Sequence, residues 1–190
     1  MKKLLAIIVL SLCFITSSQA DDISDFQIEE ISVGDSLLDY YNKSQIRSKT
    51  KGSYPGDDGF YGISFSVNSA NYQKISPTLK KGDNEFIIYS IRGEKKIDYK
   101  NCLKKKEIVI KEIKELLTDV KIHNYVSNYK NKYGKSISND TDLRVKKGTI
   151  KIYCNNWDDT ITQTRGWHDS FNISADSDEF INWIRNKAYR

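Results

Sequence analysis

The sequence predicts an α+β domain: an antiparallel β-sheet with helices packed mainly on one face, and one disulfide joining a helix to the sheet. Three observations lead there. Ile63-Ser64-Phe65-Ser66-Val67 and Ile150-Lys151-Ile152-Tyr153-Cys154 alternate apolar and polar residues, the period of a strand with one buried face. Residues 101–119 instead place Val109, Ile113, Leu116 and Val120 at helical spacing, one stripe of an α-helix. Counting back two turns along that stripe reaches Cys102, while Cys154 shares its strand face with Ile150 and Ile152. Both cysteines therefore fall on apolar faces, as a helix-to-sheet bridge requires.

The elements follow in order. Lys2 and Lys3 precede an apolar run from Leu4 to Ile15, and small residues stand at Ser18 and Ala20. That is the pattern of a cleaved bacterial signal peptide over residues 1–20, and the run is too short to span a bilayer. Leu12 before Cys13 does not suit a lipid-anchored start. The mature chain, 21–190, contains no repeat, low-complexity tract or linker and reads as a single domain, periplasmic or secreted, without a transmembrane segment. Phe26 to Ser32 reads as an extended arm. Asp35 then caps a helix carrying Leu37, Leu38 and Tyr41 to about Asn42, or one turn further through Ile46. Residues 48–59 form a loop, with Tyr54-Pro55-Gly56-Asp57-Asp58-Gly59 as its turn.

After the strand at 63–67, Phe86 to Ile91 is apolar on both faces and reads as a central strand. The helix at 101–119 follows. Residues 121–141 are polar, with a short helix expected around Asn124 to Lys132. Leu143 and Val145 then pair with Ile150, Ile152 and Cys154 in a hairpin. Phe171 and Ile173 mark a last strand. Asp176 and Glu179 resemble a capping box opening a terminal helix with Phe180, Trp183, Ile184 and Ala188 on one side.

Composition excludes several functions. The net charge of +5 falls to +3 once Lys2 and Lys3 leave with the leader, too small and too mixed in sign for a nucleic-acid binder. The chain has 2 histidines, and with both remaining cysteines bridged no zinc signature is left. No nucleophile elbow, phosphate-cradling glycine loop or dinucleotide fingerprint occurs, so neither metal nor cofactor is expected. Asp57-Asp58-Gly59 lacks the spaced carboxylates of a calcium loop and reads as a turn. Two oxidised cysteines enclosing a loop of about fifty residues contribute about 4 kcal/mol on the chain-entropy model.

Two constellations remain as candidate surfaces. Lys104, Lys105 and Lys106 lie in the first turns of the main helix, where ammoniums beside free N–H groups suit an anion; a solvated basic face is the plainer reading. Trp157-Asp158-Asp159 and Trp167-His168-Asp169 flank one loop. Two indoles with carboxylates and a histidine suit a small ligand or sugar, or acid–base work by Asp158, Asp159, His168 and Asp169; core packing is again the plainer reading.

Phe26-Gln27-Ile28-Glu29-Glu30-Ile31-Ser32-Val33-Gly34-Asp35-Ser36-Leu37-Leu38-Asp39-Tyr40 resembles a pattern of small exported proteins of marine bacteria. The likeness extends to Cys102, to Cys154-Asn155-Asn156-Trp157 and to Gly166-Trp167-His168-Asp169. It implies a secreted α+β domain and assigns no catalytic residue. A shorter likeness, over 31–41, is to the small lipoprotein that supports outer-membrane β-barrel assembly, from which this chain departs in lacking the lipid-bearing cysteine. The expectation is therefore a non-catalytic envelope or periplasmic protein that binds an unidentified envelope protein or small ligand. A periplasmic hydrolase or carbohydrate-acting enzyme using Asp158, Asp159, His168 and Asp169, and an accessory subunit of an envelope assembly complex, are the alternatives.

Overall fold

Every strand pair in the sheets is antiparallel. The structure is a computed structural model describing residues 22–54, 59–117 and 120–188. The expected signal peptide and the centre of the 54–59 turn lie outside the described residues. An N-terminal hairpin pairs β1 (Gln27–Ile28) with β2 (Ile31–Ser32). The main sheet has 9 strands. These are β3 (Gly52–Ser53), β4 (Phe60–Gly62), β5 (Phe65–Ser66), β6 (Lys74–Lys80), β7 (Ile88–Lys96), β8 (Lys121–Asn128), β9 (Ile137–Val145), β10 (Gly148–Asn156) and β11 (Ser170–Ser177). They stand in the order β3-β4-β6-β7-β11-β10-β9-β8, with β5 also pairing β6. The helices are α1 (Lys43–Arg47), α2 (Tyr99–Leu116), α3 (Lys130–Tyr133), α4 (Asp159–Arg165) and α5 (Asp178–Trp183), the last continuing as a π-helical turn over Ile184–Ala188. Among the described residues no helix is long and apolar enough to cross a membrane.

One face of the sheet holds the core. α2 packs on β10 and β11, over Ile150, Ile152, Phe171, Ile173 and Ala175, all buried. Cys102 and Cys154 form a disulfide there with Cα atoms 5.8 Å apart. The rest of this face is covered by the N-terminal segment, which buries Ile23, Ile28, Ile31 and Leu37. Its docking depends on Gly93: a Cβ there would lie 2.6 Å from the Tyr72 ring and 3.0 Å from Ile28.

Several local expectations are corrected. Asp35 caps no helix; its Oδ2 accepts from the Ser32 N–H at 2.8 Å and from the Tyr40 hydroxyl at 2.6 Å. Ser36 instead caps a single 3₁₀ turn, Leu37–Asp39, and Asn42 opens α1. Residues 121–128 are strand, not helix, and the helix that follows is one turn. The cause is edge position: only one neighbour covers β8, so its partly buried Ile122 and exposed Val126 give a weak apolar signal. Segment 86–91 is not apolar on both faces. β7 begins at Ile88 and bulges at Tyr89, after which Ser90 and Arg92 face away from the core. Leu116 ends α2 exposed, and Val120 lies beyond the helix. Asp176 belongs to β11, and Ser177 caps α5.

Candidate functional site

Strand pairing aligns side chains in ranks across a sheet, because directly paired residues point to the same face. Opposite the core, every rank from β6 to β8 is polar. One rank runs Lys74, Glu94, Asn172, Tyr153, Asp140, Tyr125. The next runs Ser76, Arg92, Ser174, Lys151, Asp142, His123. The third runs Thr78, Ser90, Asp176, Thr149, Arg144, Lys121. An ordinary second core would be apolar here. This face instead lines a cleft of about 1130 Å³ reached by β3 at one edge and Tyr125 of β8 at the other, so the sheet curls around it. Phe180, Ile181 and Ile184 from the C-terminal helical segment wall one end. Phe180 and Trp183 are fixed there by edge contacts with Phe60 at 5.5 and 5.2 Å.

Buried polar groups are tolerated when they find partners, and most of these do. The hydroxyls of Ser90 and Ser174 donate to Asp176 at 2.5 and 2.8 Å. Burial pushes the Asp176 carboxyl above the usual carboxylate range, although both hydroxyls favour its charge. Lys151 forms an ion pair with Asp140 at 2.9 Å and lies over the rings of Tyr125 and Tyr153. Burial works against its charge, but the Asp140 carboxylate outweighs that and holds the ammonium above its ordinary value. Lys74 pairs with Glu94 at 2.7 Å, and Arg144 with Asp178 at 2.6 Å. Asp142 has weaker support, the Tyr125 hydroxyl at 3.4 Å, and burial raises its pKa.

Besides Asp140, whose buried Oδ2 has no partner, Arg92 at the centre of this floor leaves a buried donor unpaired. Its Nη2 lies 4.0 Å from Glu94, a carboxylate already held by Lys74, and its buried Nε has no hydrogen-bond partner. The side chain lines the cleft and hydrogen-bonds Tyr153.

No family model, curated protein or solved structure matches this chain.

The residues singled out in the sequence lie elsewhere. Trp157 and Trp167 meet at 4.7 Å and pack with Tyr129 and Tyr133, while Arg165 covers Tyr133 and Trp167. These rings form a satellite cluster beside α3 and α4, where the indoles are partly buried. The 155–169 segment is thus not a loop but carries the helix α4. Asp158 caps that helix, its Oδ1 accepting from the Thr160 N–H at 3.0 Å and its Oδ2 from the Lys135 N–H at 3.0 Å. These two backbone donors hold its pKa low. Asp169 accepts from the Trp157 N–H at 2.8 Å. His168 and Asp159 are exposed, and none of the four lines the cleft.

The three lysines diverge. Lys104 is exposed, Lys105 lies over the Phe171 ring at 5.1 Å, and Lys106 turns into the core. There its Nζ donates to the Asn139 carbonyl at 2.9 Å and to Asn139 Oδ1 at 2.6 Å. Among the described residues no cluster of three or more histidine, cysteine or acidic side chains has metal-binding geometry. What sequence reasoning passed over is the polar side of its own alternating strands. Lys151, Tyr153 and Asp142 were visible as the outward partners of apolar residues, but nothing local says that the outward side is concave.

Proposed function

We propose that this chain is an exported, non-catalytic binding protein that holds a small polar ligand in the curled face of its sheet. The observation that carries the reading is the unbroken polar floor beneath a cleft of about 1130 Å³. A polar cleft gives up the apolar burial that stabilises most sheet faces, and ligand sites are where proteins accept such a loss. Hydroxyls, amides and charges on rigid strands provide directional recognition, and the Phe180 end provides an apolar wall. Catalysis by Asp158 or Asp169 is disfavoured because both carboxylates are engaged by backbone N–H groups. The disulfide and the leader-like N-terminus support export.

A thermal-shift screen against polar solutes tests this reading. Solutes seated in the cleft should raise Tm, and Ser174→Leu, which puts an isobutyl group into the floor, should abolish the rise. A folded protein whose Tm no polar solute moves, or a rise that survives Ser174→Leu, defeats the proposal. Export predicts blocked Cys102 and Cys154 thiols and an N-terminus at Asp21 in protein isolated from its native host.

A further inference from the structure

We infer that the ligand is a hydroxylated monocarboxylate, an acidic sugar or a related polyhydroxy acid, whose carboxylate docks on Arg92. This rests on the cleft being a binding site and names what it binds. The charges around Arg92 are spoken for: Lys74 with Glu94, Lys151 with Asp140 and Arg144 with Asp178, each at 2.9 Å or less. Arg92 is left with a hydrogen bond to Tyr153, a 4.0 Å contact to the shared Glu94 and a buried Nε without a partner. A guanidinium is a planar fork of N–H donors that matches a carboxylate with two parallel bonds. Among the described residues no carboxylate comes closer to the Arg92 guanidinium than that 4.0 Å contact, and its exposed part in the cleft lining is where such a group docks.

The flanking residues set the rest of the ligand. Ser76 and Ser174 stand on either side of Arg92 in its rank. Ser90 and Ser174 spend their hydrogens on Asp176, so they offer lone pairs to hydroxyl donors on a ligand. Ser64 and Ser76 bond to each other at 2.9 Å and keep one hydrogen between them to give. Glu94 lies 4.0 Å from Arg92, and its carboxylate penalises a second negative charge on the ligand, which favours a monoanion over a phosphate dianion. The Ile181 and Ile184 wall suits the C–H face of a sugar ring.

Calorimetry on the full mature protein tests this. Galacturonate, glucuronate, gluconate and N-acetylneuraminate are each titrated beside a neutral counterpart, together with galactose 1-phosphate. At least one acid should bind about tenfold to a hundredfold more tightly than its neutral counterpart, the range of a charge-assisted bond. Arg92→Gln should erase that preference, and Arg92→Lys, which keeps the charge without the fork, should retain only part of it. Equal affinity for acid and neutral sugar, tighter binding of the phosphate, or a preference that persists in Arg92→Gln overturns the inference and leaves the binding function standing. If no polar solute binds at all, both fall.

Discussion

Lys106 carries its amine between α2 and the sheet, 5% exposed, with Asn139 as its partner. Burial pulls its pKa down to about 8 from the ordinary 10.5. The unfolded chain therefore holds this proton through a window in which the folded chain has released it. Stability must rise with pH between about 8 and 10.5, by up to about 3 kcal/mol. Lys106→Met should flatten that rise, as read by urea midpoints at pH 7.5, 8.5 and 9.5; an unchanged slope would place the effect elsewhere. Above pH 10, Tyr40 and Tyr72, both pushed up to about 12 by burial first of all, act in the opposite sense. They keep protons that the unfolded chain has lost, so stability falls there. Sequence alone placed Lys106 in a basic triplet. Its inward turn follows from standing four residues after Cys102 on the stripe, a position whose polar occupant looked like a break in the pattern.

At the scale of elements, alternation identified the β9–β10 hairpin and β11, and helical spacing identified α2, because each has a continuous apolar side. β6 was missed because Pro77 interrupts it, and proline lacks the N–H of a strand ladder. The structure shows why it is tolerated. Pro77 faces the gap between β4 and β5, where its carbonyl accepts from the Ile63 N–H at 3.1 Å and no donor is needed. The β1–β2 turn was equally hidden. Glu29 and Glu30 occupy it at φ of 52° and 65°, without the Asn-Gly sequence such turns favour. Exposed Glu30 in left-handed conformation costs about 1 kcal/mol that glycine would not, so Glu30→Gly should raise the thermal midpoint. A lowered midpoint would mean that the glutamate side chain contributes more than its backbone costs.

The whole molecule has one core layer, on the face where α2 and the N-terminal segment meet the sheet, and a curled polar floor on the other. That division was half legible. The apolar face could be read from periodicity, whereas the curvature that makes the other face a cleft comes from the path of the sheet and the wall built by α5. Central to that path is the pairing of β7 with β11, which brings Lys96 to Ser170. Along the backbone these strands lie about 70 residues apart, but through the Cys102–Cys154 bridge the route shortens to about 20, a difference of about 1 kcal/mol in loop-closure entropy. An oxidised chain thus begins its search with the middle of the sheet already half gathered. It should refold about fivefold faster than the reduced chain in stopped-flow dilution, and equal rates would show that this pairing forms only after the rate-limiting barrier.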